Sequence, residues 1–321
     1  MSIHKIPLPT SFEIGDVNVY LLREKECLTL IDTGTSSSVG EQALEKSLAE
    51  LGHCVEDLDQ IVLTHYHADH AGLLERLVSR SGAKVYAHPL TERLILPTAE
   101  SLAERASFFD SVYLGMGITD NIKRQTVVDE IVGYQEEMGQ AGIDVELHEG
   151  DRLPGHDRWR VIYTPGHSQD HISLYQEQDG LMVLGDHLLQ NISSNAFIEP
   201  PSTAGEERPK TLMIYREALR KVNELEWKVG YPGHFEDIYD YRALIEKRFR
   251  SQEKRAKSVV ELVQAGKRKG IEICSTLFPK SMNYLPLIMS ETLGHLDWMT
   301  AEGMIKKSVT DAGVWEYSPV K

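Results

Sequence analysis

Residues 64–72 read Thr64-His65-Tyr66-His67-Ala68-Asp69-His70-Ala71-Gly72. Three imidazoles and one carboxylate fall within six residues, and these are the ligand types that hold zinc and similar divalent ions. Separate surface or core histidines are the plainer alternative. Histidine supplies only 13 of 321 residues, so a chance HxHxDH in such a chain is on the order of one in a thousand. The run just upstream, residues 60–63, is short, apolar and β-branched, which predicts a strand ending at Thr64. The cluster therefore sits where a strand gives way to a loop, a common place for functional side chains.

Working outward, Leu73, Leu74, Leu77 and Val78 recur at helical spacing and residues 84–87 read as the next strand, completing a β-loop-α-β unit of an α/β fold. Residues 17–21 and 27–31 predict earlier strands, and residues 42–51 a helix. Residues 144–147, 159–163, 172–175 and 181–184 predict strands of a second sheet half. Three apolar runs end in similar turns: Thr164-Pro165-Gly166-His167, Leu184-Gly185-Asp186-His187 and Tyr231-Pro232-Gly233-His234. A glycine beside a ligand-type residue lets the backbone turn sharply and present that side chain into a shared cleft.

The ordered set HxHxDH, TPGHS, LGD and PGH resembles the metallo-β-lactamase superfamily over residues 12–235. The resemblance implies an αββα sandwich with the site along one sheet edge. It places His65, His67 and His167 on one metal and Asp69, His70 and His234 on the other, with Asp186 bridging. It makes Asp32, in Leu30-Ile31-Asp32-Thr33-Gly34, a supporting residue. Two divalent ions are expected, zinc first, with manganese or iron also suited to these ligands. Such a pair can hold a hydroxide and polarise a substrate oxygen, which is hydrolytic chemistry. Asp69 is then a catalytic candidate as well as a ligand, since it can orient the nucleophile's proton. His171 and His187 are candidates to orient a ligand or donate a proton. His88 is placed to line the cleft. His4, His53, His148, His156 and His295 have no ligand context and read as structural or surface.

The expected domains are a catalytic domain over residues 1–238 and a small C-terminal domain over 239–321. Within the first, residues 90–142 are helix-forming and carry Phe108, Phe109, Tyr113 and Met116; they read as a helical insertion, either a lid over the site or an ordinary packed helical pair. The second opens with a charged helix containing Arg248, Arg250, Lys254 and Arg255. It continues as helix, helix and hairpin, an order similar to the winged-helix tail of β-lactamase-like hydrolases related to endoribonucleases.

Net charge is −15. Residues 1–235 hold 20 Lys and Arg against 37 Asp and Glu, while residues 236–321 hold 14 against 12. That balance opposes a polyanion near the cleft. Cys27, Cys54 and Cys274 are too few and too scattered for a disulfide framework, there is no export-type leader, and no apolar run reaches membrane-spanning length. A cytoplasmic protein without membrane contact is expected. The leading expectation is hydrolysis of a small ester, thioester, lactone or related bond in a small-molecule substrate. Phosphodiester cleavage of RNA is the first alternative, and a tail that binds a partner or forms a homodimer is the second.

Overall fold

The computed structural model describes residues 2–24, 27–134, 138–203 and 205–320, so residues 135–137 of the expected insertion lie outside the described residues. The chain forms two compact units. The first comprises Met1–Pro97, Tyr134–Ser194 and Ala218–Leu244, and the second Thr98–Gly133, Asn195–Glu217 and Ile245–Lys321.

The first unit is built on two sheets. One contains β1 (Ser2–Leu8), β2 (Val17–Glu24), β3 (Cys27–Ile31), β4 (Gln60–Val62), β5 (Lys84–Ala87) and β6 (Val145–Glu146), in that order across the sheet. The other contains β7 (Arg152–Leu153), β8 (His156–Tyr163), β9 (Ile172–Gln176), β10 (Leu181–Gly185) and β11 (Val229–Pro232), ordered β11-β10-β9-β8-β7. Helices α1 (Ser38–Glu50), α2 (Ala68–Ala71), α3 (Leu74–Ser81) and α4 (Glu92–Ile95) connect the strands of the first sheet. Ser37 caps α1 by accepting from Gly40 N–H at 3.0 Å, which relieves one of the orphan donors of its first turn.

Period-two alternation explains the layering. Val19 and Leu21 of β2, with Leu30, Ile61 and Val85, pack with Leu44 and Leu48 of α1 and Leu74 and Leu77 of α3. The intervening Tyr20 and Leu22, with Ile31, Val62 and Tyr86, pack with Trp159, Val161, Ile172, Leu174 and Val183 of the second sheet. A strand buried on both faces reads as a near-continuous apolar run, and β2 does so. The result is the αββα sandwich. Residues 144–147 correct one expectation: β6 pairs parallel with β5 in the first sheet, not in the second, through Tyr86↔Val145. The cause is local, since Asp144 Oδ2 accepts from Val85 N–H at 2.8 Å and Asp144 N–H donates to Val85 O at 2.9 Å.

The strand directions gather the chemistry. β3, β4 and β5 run parallel, and β8 and β10 share a direction with β11 because β9 lies antiparallel between them. The carboxyl ends of β3, β4, β8, β10 and β11 are followed by Asp32, His65, His167, Asp186 and His234 respectively.

The second unit contains α5 (Ala99–Gly115), α6 (Asn121–Gly133), most of α8 (Tyr241–Gln264), α9 (Gly270–Leu277), α10 (Leu285–Ala301) and the hairpin β12 (Ile305–Val309) and β13 (Trp315–Pro319). Helix α7 (Thr211–Glu224) begins in this unit and ends in the first. Phe109, Val112, Tyr113 and Met116 of α5 and Val128 of α6 form one core with Val259, Ile273, Met289, Leu293 and Leu296. The apolar residues of the mid-chain stretch are thus core side chains of this unit, packed with the C-terminal helices. Among the described residues no helix is long and apolar enough to cross a membrane.

Candidate metal centre

Two turns explain how the backbone brings the ligands in. Asp32 has φ 62°, a left-handed conformation unusual for a residue with a Cβ. Three hydrogen bonds hold it there: Oδ1 accepts from Thr64 N–H at 2.7 Å, and Oδ2 accepts from Thr64 Oγ1 at 2.8 Å and from His70 Nδ1 at 2.8 Å. Gly233 meets the other demand, close approach. A Cβ there would run into Asp186 Oδ1 and lie 2.7 Å from His70 Cε1, so a side chain would occupy the site itself.

The seven expected ligands come together in three overlapping groups: His65, His67 and His167; His65, His70 and Asp186; and Asp69, His70 and His234. Within each group the ligand-type atoms lie within 4.8 Å of one another. Nε2 of His65 and Nε2 of His167 each sit 3.0 Å from Nδ1 of His67. On the other side, His234 Nε2 is 3.2 Å from Asp69 Oδ2. Asp186 stands between the two sets: Oδ2 is 3.6 Å from both His167 Nε2 and His234 Nε2, and Oδ1 is 3.4 Å from His70 Nε2.

The donor atoms fit a cation. Nε2 of His70, Nε2 of His234 and Oδ1 of Asp186 are buried without a well-directed hydrogen bond. Leaving such atoms unsatisfied costs about 1–3 kcal/mol each, and divalent ions would satisfy all three. Burial drives His65 and His67 well below the ordinary imidazole value, so both present neutral rings. Burial acts the same way on His70 and His234, but the carboxylates of Asp69 and Asp186, joined by Asp32 at His70, outweigh it and raise both. Burial works to raise the carboxyls of Asp69 and Asp186, and the imidazoles of His70 and His234 overcome it, keeping both carboxylates charged.

The outward-facing ring nitrogens are held in turn. His65 Nδ1 is 3.0 Å from Thr64 Oγ1, His70 Nδ1 bonds Asp32, His234 Nδ1 donates to Asp16 O at 2.8 Å, and His167 Nδ1 is 2.9 Å from Ser194 Oγ. Ser194 and Thr64 in this role had no signal in the sequence beyond their being hydroxyl residues near ligands. His171 is fully buried; its Nε2 accepts from Asp186 N–H at 3.1 Å and its Nδ1 lies 2.8 Å from Thr164 Oγ1. Both ring nitrogens are engaged, so in this structure His171 holds the Asp186 turn. His187 is buried, and burial pushes it down to about 3. His88 stacks on Tyr163 with centroids 4.5 Å apart. His156 is buried between the sheets, 2.6 Å from Thr29 Oγ1, and His295 lies in the core of the second unit.

A cavity of about 580 Å³ opens against Ala68, the residue between ligands His67 and Asp69. Thr10, Ser11, Thr35, Ser36 and Ser37 line it together with apolar Pro9 and Val39, and among the described residues no lysine or arginine does.

A two-sheet sandwich carrying five imidazoles and two carboxylates at a common strand edge defines a metal-binding hydrolase. Residues 13–253 match the sequence model of the metallo-β-lactamase superfamily, and the chain belongs to that superfamily. It is 36% identical over 302 residues to a probable metallo-hydrolase, YqjP, of Bacillus subtilis, covering 94% of this chain and 92% of that one. The crystal structure of metallo-β-lactamase family protein TTHA1429 from Thermus thermophilus superposes with a TM-score of 0.83 at 26% identity, covering 99% of this chain and 98% of that one. A more distant relative is an atrochrysone carboxyl ACP thioesterase of Aspergillus fumigatus, 24% identical over 262 residues, covering 80% of this chain and 62% of that protein.

Proposed function

We propose that this metallohydrolase cleaves a small ester or thioester, using two divalent ions, zinc first among them, held by His65, His67 and His167 on one side and Asp69, His70 and His234 on the other, with Asp186 serving both. The observation that carries the reading is the convergence of seven ligand-type side chains in which three buried donor atoms lack hydrogen bonds. When bound, such ions lower the pKa of water and polarise a substrate carbonyl. The chain's own groups do the rest. Asp69, kept charged, orients the proton of the attacking water by accepting its hydrogen bond at the carboxylate. His171 and Asp32 keep Asp186 and His70 from rotating out of register. The cavity against Ala68, lined by threonines and serines, receives an uncharged part of the substrate, because among the described residues nothing cationic lines it to repay desolvation of a phosphate or carboxylate. The thioesterase among the relatives supports an acyl substrate.

RNA cleavage is the second reading, and two of the four cations it would draw on in the charged helix, Arg248 and Arg255, are committed elsewhere. Arg248 is buried in the second unit, and Arg255 pairs with Glu291 and lies over the Phe278 ring at 5.2 Å. Assaying one preparation against simple thioesters, aryl esters and a phosphodiester tests the choice. Metal-dependent turnover of the acyl substrates, abolished by chelation and restored by zinc, is expected. Efficient single-stranded RNA cleavage that falls steeply with salt, alongside inert acyl substrates, would reverse the order.

A further inference from the structure

Each imidazole that turns its Nε2 toward the ligand cluster has its Nδ1 fixed from outside, but the four holders differ in what they permit. Asp32 and the Asp16 carbonyl can only accept, so they force His70 and His234 to carry the proton on Nδ1. Thr64 is fixed by its surroundings: its hydroxyl donates to Asp32 Oδ2 at 2.8 Å, so toward His65 Nδ1 it accepts. Ser194 differs from these three. It comes from the segment after Asp186, its hydroxyl can accept or donate, and it lies 2.9 Å from His167 Nδ1 with both residues buried. If it accepts, the Nε2 lone pair of His167 faces His67 Nδ1, 3.0 Å away. If it donates, Nε2 carries the proton and cannot bind a cation.

We infer that Ser194 is a positioning residue that holds the ring of His167 by its Nδ1, and through it sets the affinity of the three-imidazole metal position more than that of the position built on Asp69, His70 and His234. The inference rests on the two-metal reading above. Its physical basis is selectivity. The second position keeps its own holders, Asp32 and Asp16 O, together with the charge of Asp69, while Asp186 is common to both positions. Loss of a residue that orients a ligand imidazole typically weakens metal binding by about 10–100-fold. Here that loss falls on one equivalent of two.

Cobalt(II) titration of the full chain, read by visible absorption and by competition with a chromophoric chelator, separates the two equivalents without any substrate. In Ser194→Ala one equivalent should weaken by about 10–100-fold while the other stays within about twofold of wild type. Ser194→Thr, which keeps the hydroxyl, should restore the lost affinity. Unchanged affinity for both equivalents in Ser194→Ala, or equal weakening of both, overturns the assignment. A wild type that takes up no cobalt removes the two-metal reading and this inference with it, and is recognised before any variant is made. Long-range ¹H–¹⁵N spectra of the wild-type histidines give a check that needs no variant to fold: His167 should carry its proton on Nδ1, and a proton on Nε2 contradicts the proposal.

Discussion

At the scale of single residues, the centre is an exercise in holding charge out of water. Asp170 shows this outside the ligand set. It is fully buried in the loop after His167, and burial pushes its carboxyl up to about 6 from an ordinary 3.8, although hydroxyl donors from Ser168 at 2.7 Å and Thr91 at 2.9 Å pull the other way. A folded pKa above the unfolded one means a stabilising contribution that is complete below pH 3.8 and lost as the pH rises through about 6. In urea unfolding of metal-free protein, the stability advantage of wild type over Asp170→Asn should therefore shrink by about 3 kcal/mol between pH 4 and pH 7. A gap that stays constant with pH would show that Asp170 does not titrate there. The ligand-type residues that cluster were legible in the sequence because each arrives in a short motif after a strand. Ser194 and Thr64 were not, because one hydroxyl in a loop has no period and no partner spacing to mark it.

At the scale of elements, most strands were legible as apolar, β-branched runs, including β4 and β5 at three and four residues, whereas β1, seven residues with Lys5 and Pro7 interrupting its apolar positions, was not read. β6 has two residues, and its place beside β5 is fixed by Asp144, whose Oδ2 accepts from Val85 N–H and whose N–H donates to Val85 O, a pairing that no periodicity announces. The helices of residues 99–133 posed the opposite difficulty: apolar side chains look alike in sequence whether they line a pocket or fill a core, and here Phe109, Tyr113 and Met116 fill the core of the second unit. Gly115, near the end of α5, carries a testable consequence. Replacing a helical glycine by alanine ordinarily gains about 1 kcal/mol. At Gly115 a Cβ would press into the ring atoms of Trp315 on β13, and overpacking of that kind costs about 1–3 kcal/mol. Gly115→Ala should accordingly lower stability by about 1 kcal/mol and alter Trp315 emission in denaturant titrations. An equal or higher midpoint would mean the hairpin yields freely at that contact.

At the scale of the whole molecule, fold and charge point the same way. Parallel strand ends collect ligand-type residues as far apart as His65 and His234, so the first unit must fold before the centre exists, and ions that bind only there stabilise it by mass action. The superfamily was readable from the motifs alone; the assignment of residues 98–133 to a common unit with the C-terminal helices was not, since contacts between distant segments leave no local trace. The net charge of −15 opposes a polyanion, and on α8 Arg248 is buried and Arg255 is paired with Glu291, while Lys247, Lys254 and Lys257 are exposed. Everything in the account depends on the cluster at the strand ends holding metal. The direct measurement is elemental analysis of chain purified after zinc-supplemented expression, in parallel with Asp186→Ala. The wild type should carry about two ions per chain, and the variant, deprived of the carboxylate that serves both positions, should carry about one or fewer. A reproducible wild-type stoichiometry near zero, or the same metal content in Asp186→Ala as in wild type, would contradict the assignment.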